Sequence, residues 1–167
     1  MAAFVICVCA VATPVPALAA VVTVSDPAGD GLKGRRLDIT SVRLANRDHA
    51  IVITATVVRV THGDLAVYLT ARGERRRAFV GVLSKHRARG DSNRLFSAEG
   101  TVPCQGLRVT WDADTDRVQV RVPSRCLGGG NYGALRTKLI FENPDDADFA
   151  PKGAEGSWRW TPWVNRG

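Results

Sequence analysis

IVITATVVRV, residues 51–60, is β-branched almost throughout. In an extended chain successive side chains point to opposite faces. Ile51, Ile53, Ala55 and Val57 therefore share one face, and Thr54 and Thr56 share the other. One apolar face and one polar face is the pattern of a strand lying on a core with its back to water. The preceding LDITSVRLA, residues 37–45, has apolar side chains at 37, 39, 42 and 44. Its parity slips between Ile39 and Val42, which predicts a β-bulge. Asn46-Arg47-Asp48-His49 then reads as the turn of a hairpin.

The same grammar runs along the rest of the chain. LAVYLTA (65–71) and AFVGVL (78–83) form a second pair around RGERRR. LRVTW (107–111) and RVQVRV (117–122) form a third around Asp112 to Asp116, and LRTKLIF (135–141) alternates as well. No segment keeps a helical period for three turns. About eight or nine short strands separated by polar turns predict an all-β fold, an antiparallel β-sandwich of the immunoglobulin-like or jelly-roll kind. NPDDADFAPKGAEGS (143–157) reads as a loop by composition.

Residues 2–12, AAFVICVCAVA, are apolar throughout and are followed by Pro14, Pro16 and Ala17-Leu18-Ala19-Ala20. A run of this length ending in A-x-A is built like a signal peptide, and it is too short for a membrane span. The expectation is a leader at 1–19, cleavage after Ala19, a single domain at 20–167 and a secreted, extracellular product. The departure from the pattern is that no basic residue precedes the run; the first is Lys33. Cys7 and Cys9 leave with the leader. Cys104 and Cys126 remain, and in an oxidising compartment an isolated pair is most simply a disulfide.

The net charge is +7, from 23 Lys and Arg against 16 Asp and Glu. That balance favours acidic partners and says nothing about fold. Arg72, Arg75, Arg76, Arg77, Lys85, His86, Arg87, Arg89 and Arg94 crowd into one hairpin and the loop after it. They are expected at one positive end, where Arg72, Arg75, Arg76, Arg77, Arg87 and Arg89 would meet an envelope polymer or another polyanion; the alternative is a solvated rim. No nucleic-acid reader motif is present, and nucleic acid is not expected as a partner. Arg89-Gly90-Asp91 spells an adhesion tripeptide that composition alone explains.

SDPAGDGLKGRRLD, residues 25–38, supplies Asp26, Asp30 and Asp38. Pro27 suits a turn and Gly29 permits positive φ. Loop carboxylates and backbone carbonyls are the hard oxygens that calcium takes. The alternative is a polar turn closed by an Asx cap. The D-P-A-G-D turn feeding a strand that begins L-D-I resembles the opening of carbohydrate-binding and DOMON-like sandwich domains. That resemblance implies a structural calcium, with Asp26 and Asp30 as ligands and Asp38 as a third. GLKGRR departs from it by placing Lys33, Arg35 and Arg36 nearby. A second resemblance is to small secreted actinobacterial proteins. It rests on Asp26-Pro27-Ala28-Gly29-Asp30, Asp38 to Val42, Val122 to Leu127 and Thr161 to Gly167, and implies fold and export without an activity.

WDADTD, residues 111–116, fails the EF-hand template, with Arg117 where Gly is required, and reads as an acidic hairpin turn. In SWRWTPW, residues 157–163, a strand would put Trp158 and Trp160 on one face and Arg159 on the other. Exposed, the rings would stack on sugars while Arg159 held an anionic group; buried, they would close the core, the commoner fate of large aromatics. No G-x-S-x-G, H-E-x-x-H or C-x-x-C occurs, and the glutamates are scattered in or near loops. The residues thus predict an exported, non-catalytic binding module for carbohydrate or cell-envelope polymer, with calcium as a structural ion. The alternatives are a small secreted hydrolase with acids gathered from loops, or an envelope protein adhering to polyanions through its arginines.

Overall fold

The alternation at residues 51–57 folds as it reads: Ile51, Ile53, Ala55 and Val57 are buried, and Thr54 and Thr56 stay half-buried on the far face. The computed structural model describes residues 20–32, 37–72, 79–130, 132–153 and 155–167. The expected leader at 1–19, with Cys7 and Cys9, lies outside the described residues, as do Lys33, Arg35, Arg36 and Arg75, Arg76 and Arg77. Eleven strands are described: β1 (Ala20–Ser25), β2 (Ile39–Asn46), β3 (Ala50–Val57), β4 (Gly63–Arg72), β5 (Phe79–His86), β6 (Ser92–Ser97), β7 (Gly100–Val102), β8 (Arg108–Asp112), β9 (Arg117–Pro123), β10 (Ala134–Glu142) and β11 (Ala147–Ala150). They form two antiparallel sheets, ordered β1-β2-β3-β9-β8 and β11-β10-β4-β5-β6-β7, that enclose one apolar core as a sandwich.

The predicted slip in β2 is a register shift between Ile39 and Ser41 against β3. Val118, Val120 and Val122 of β9 point inward, with Arg117, Gln119 and Arg121 outward. From the six-stranded sheet the core receives Leu65, Leu69, Leu135, Leu139 and Phe141, all without exposed surface. The strand count exceeds the eight or nine read from the sequence because β1, β6, β7 and β11 are short or weakly patterned. The 143–157 segment is not all loop: Ala147–Ala150 pairs with β10.

The sandwich has two open sides, one between the edge strands β1 and β11 and one between β8 and β7. Cys104 and Cys126 are joined by a disulfide, with Cα atoms 5.4 Å apart. The bridge ties the connection from β7 to β8 onto a short 3-10 turn, Ser124–Cys126, that follows β9. No helix among the described residues is long and apolar enough to cross a membrane.

Candidate metal centre

The β1/β11 side is where carboxylates gather. Asp26 follows β1 directly, and its N–H donates to the Thr40 carbonyl at 2.9 Å, which holds the chain beside β2. The turn that follows has Gly29 at φ 85°. Its N–H donates to Asp38 Oδ2 at 2.5 Å, so Asp38 clamps the turn from the start of the next strand. The loop then meets the other sheet, with Leu32 N–H donating to the Ala147 carbonyl at 2.9 Å. From β11, Asp148 points inward with no exposed surface. Its Oδ2 accepts Ile39 N–H at 2.7 Å, a bond that crosses from sheet to sheet, and its Oδ1 accepts Phe149 N–H at 2.8 Å.

Asp26, Asp30 and Asp148 each bring a carboxylate oxygen within 4.8 Å of the others. The structure therefore keeps Asp26 and Asp30 of the expected calcium set, puts Asp148 where Asp38 was expected, and leaves Asp38 as the clamp of the turn. Lys152, two residues past the end of β11, joins the group. Its Nζ lies 2.8 Å from Asp148 Oδ1, 2.6 Å from the Asp30 carbonyl and 3.1 Å from Asp30 Oδ2, and its backbone N–H donates to Asp26 Oδ1 at 2.5 Å. Sequence reading missed both Asp148 and Lys152. The signal available was the A-D-F-A alternation and the Asp-to-Lys spacing of four within a segment of loop composition.

One ammonium does not satisfy this group. Asp26 Oδ2, Asp30 Oδ1 and Asp38 Oδ1 are buried without a hydrogen-bond partner. Asp26 and Asp38 are only 7% and 1% exposed. Burial pushes the Asp26 carboxyl up to about 6, and the neighbouring Asp148 and Asp30 add to the rise against the pull of the Lys152 N–H. Burial raises Asp38 as well, with Asp148 and Asp30 again contributing and the Gly29 N–H opposing. Burial would lower the Lys152 ammonium, but its bonds to Asp148 and Asp30 win and raise it. A set of buried carboxylate oxygens, part of it unpaired, fits a hard divalent cation such as calcium.

These shifts have a consequence for the cation-free protein. A carboxyl raised from 3.8 to about 6 binds its proton more tightly folded than unfolded. Its contribution to stability is fully present below the unfolded value and is lost as pH rises through the folded one. Thermal unfolding in EDTA is expected to show a midpoint that falls as pH rises through about 6. A midpoint flat or rising across that window would contradict the burial of Asp26.

The other expected sites distribute differently. The antiparallel register puts Thr70 opposite Phe79 and Gly63 opposite His86, so Arg72 lies at one end of the β4–β5 hairpin and Arg87 and Arg89 at the other. The described arginines thus do not form one positive end. Arg87 is moreover ion-paired with Asp64 and donates to the Gly63 carbonyl at 2.9 Å. Asp112 of the acidic turn is spent locally, accepting from Asp114 N–H at 3.0 Å and from the Thr115 hydroxyl at 2.7 Å.

Trp158 and Trp160 lie neither between the sheets nor free. They are half-buried on the outer side of β10, whose Arg136 and Lys138 alternate with buried Leu135, Thr137 and Leu139. Lys138 Nζ sits 3.6 Å from the Trp158 ring centre and 4.9 Å from that of Trp160, and the Arg136 guanidinium lies 4.9 Å from Trp160 and 4.5 Å from Trp163. Burial among the rings, with Arg136 beside it, lowers the Lys138 ammonium. Backbone bonds from Thr161 to Thr137 and between Val164 and Leu135 hold this segment along β10. Arg159 is exposed. The segment covers the sheet by cation–π contact, a fate intermediate between core and open sugar platform.

His86 Nδ1 is 2.7 Å from Asp91 Oδ1, and the ring stacks on Trp111 at 4.8 Å. Among the described residues no hydroxyl or thiol is hydrogen-bonded to a histidine ring, and the fold is largely non-helical with no evident catalytic arrangement. Compared with protein-family models, with curated proteins and with solved structures, the chain matches none.

Proposed function

We propose that this chain is an exported, non-catalytic binding module whose two sheets are locked along one side by a calcium ion. The observation that carries the metal reading is the meeting of Asp26, Asp30 and Asp148 carboxylate oxygens within 4.8 Å of one another, with Asp26 Oδ2 and Asp30 Oδ1 buried and unpartnered. Calcium takes six to eight oxygens; Asp26, Asp30 and Asp148 would supply the carboxylates, with the Asp30 carbonyl beside them and Asp38 bracing the turn. The ion would join the end of β1 to β11 and so bridge the sheets. That role matches what the resemblance of the D-P-A-G-D turn to carbohydrate-binding and DOMON-like domains implies. Export is supported by the apolar run at 2–12 with its A-x-A ending, and by the disulfide. The resemblance to small secreted actinobacterial proteins points the same way. The ligand class is carbohydrate or cell-envelope polymer.

The test is thermal unfolding of the disulfide-intact protein in EDTA and then in millimolar calcium. A ligand of the folded state raises stability by about 2.7 kcal/mol at a hundredfold excess over its dissociation constant. The expected result is a rise of that order that Asp30→Asn abolishes. An unchanged midpoint in calcium would leave the Lys152 ion pairs as the whole content of the site.

A further inference from the structure

The outward face of the five-stranded sheet carries two rows of polar side chains that no part of the metal centre uses. Register places Thr23, Arg43, Thr54, Gln119 and Thr110 in one line across all five strands. Ser25, Ser41, Thr56, Arg117 and Asp112 form the next line. Nearly all of them, with Thr115, line an open groove of about 580 Å³. A solvated outer face is ordinary for an antiparallel sheet. The following line of the same sheet, Val21, Ala45, Val52, Arg121 and Arg108, is apolar over its first three strands and basic over the last two. The groove lines contain no apolar residue.

We infer that this groove binds an acidic polysaccharide, a chain of sugars bearing carboxylates, lying along the rows and across the strands. Three observations carry it. The hydroxyls of Thr23, Ser41, Thr54, Thr56 and Thr110 donate and accept alike, as the hydroxyls of a sugar require. Hydroxyl, amide and charged side chains together recur along each row at the strand spacing of about 4.8 Å, close to the length of one pyranose unit. Arg43 is half-buried in the groove, and among the described residues it makes neither hydrogen bond nor ion pair, so its fork of donors is left for an anion. Arg117 faces Asp112 across β8 and β9, but Asp112 is already held by Thr115 and Asp114, and the groove keeps an excess of positive charge. This inference rests on the binding-module reading and not on the metal centre.

The test is an amide-shift titration of the disulfide-intact protein with tetragalacturonate in EDTA, which keeps the metal centre out of the measurement. Saturable shifts centred on Thr54 and Gln119 are expected, with affinity about tenfold weaker for Arg43→Gln and for Arg117→Gln. Both positions face solvent, and each variant should unfold at the wild-type midpoint. The methyl-esterified tetramer, the same sugar without its charge, should bind about tenfold more weakly too. No saturable shift at millimolar ligand, shifts centred on Trp160 instead, or equal binding of the ester overturns the inference. Cleavage of the bound oligomer would uphold the ligand class and overturn the non-catalytic reading; failure of the calcium test would leave this one untouched.

Discussion

Asp148→Ala is expected to cost about 3–5 kcal/mol of stability, the range for removing one partner of a buried ion pair. In a domain of this size that corresponds to a fall in midpoint of roughly 10 °C. The side chain has no exposed surface and serves three donors at once, Ile39 N–H, Phe149 N–H and Lys152 Nζ. Alanine leaves two backbone donors without an acceptor and withdraws the carboxylate that anchors a mostly buried ammonium. Each orphaned buried donor costs about 1–3 kcal/mol on its own. Asp148→Asn keeps one acceptor oxygen and removes the charge, so its loss should be smaller. Lys152→Met separates the two cations that compete for these oxygens. In EDTA it should destabilise, because the carboxylates then face one another without an ammonium. In calcium it should show a larger rise than wild type, since the ion no longer displaces Lys152 from Asp30 and Asp148. Urea unfolding of the three variants, with and without calcium, measures all of this. A loss below about 1 kcal/mol for Asp148→Ala, the scale of an exposed pair, would show that the junction does not hold the sheets together.

The sequence made much of the sandwich legible and little of this junction, for a physical reason. Period-two alternation is local, so Ile51 to Val57 and Arg117 to Val122 announce their faces in isolation, and the slip between Ile39 and Val42 announces the bulge. The metal centre is not local. Lys152 reaches the Asp30 carbonyl across 122 positions and the Asp26 carboxylate across 126. Strand β11 is four residues flanked by Asn, Asp, Pro and Gly, and its strand character comes from pairing with β10 rather than from propensity. Asp148 was therefore hidden inside what composition calls a loop. The arginines misled in the opposite direction. Arg72 and Arg87 are close in sequence, but an antiparallel hairpin sends the far ends of its two strands to the same side and its turn to the other. The tryptophans alternate as a strand would, yet Pro162 and the edge position beside β10 leave only isolated bridges there. Their place was set by Arg136 and Lys138 on the neighbouring strand.

Replacing both Cys104 and Cys126 by Ala is expected to cost about 3 kcal/mol relative to the oxidised protein, the loop-closure entropy for cysteines 22 positions apart. The position of the bridge predicts where that loss appears. Cys104 lies between β7 and β8, the edge strands of the two sheets, so the bridge guards the side of the sandwich opposite the carboxylate junction. At this corner Leu107 N–H bonds the Cys104 carbonyl at 3.2 Å and Arg125 bonds the Gln105 carbonyl at 2.8 Å, while the far end of β8 is tied to β5 by Trp111 Nε1, which donates to Ser84 Oγ at 3.0 Å. Amide exchange should therefore quicken first in β8, Arg108–Asp112, while β1 and β2 keep their protection. Edge strands β1 and β8 are four strand spacings apart, roughly 19 Å. Sites at that distance with no shared partner lose stability additively, within about 0.5 kcal/mol. Combining the two cysteine changes with Asp148→Asn should thus give the sum of the separate losses in urea unfolding. A shortfall well beyond that margin would mean that the two sides are coupled through the core, and that closing either one already holds the other.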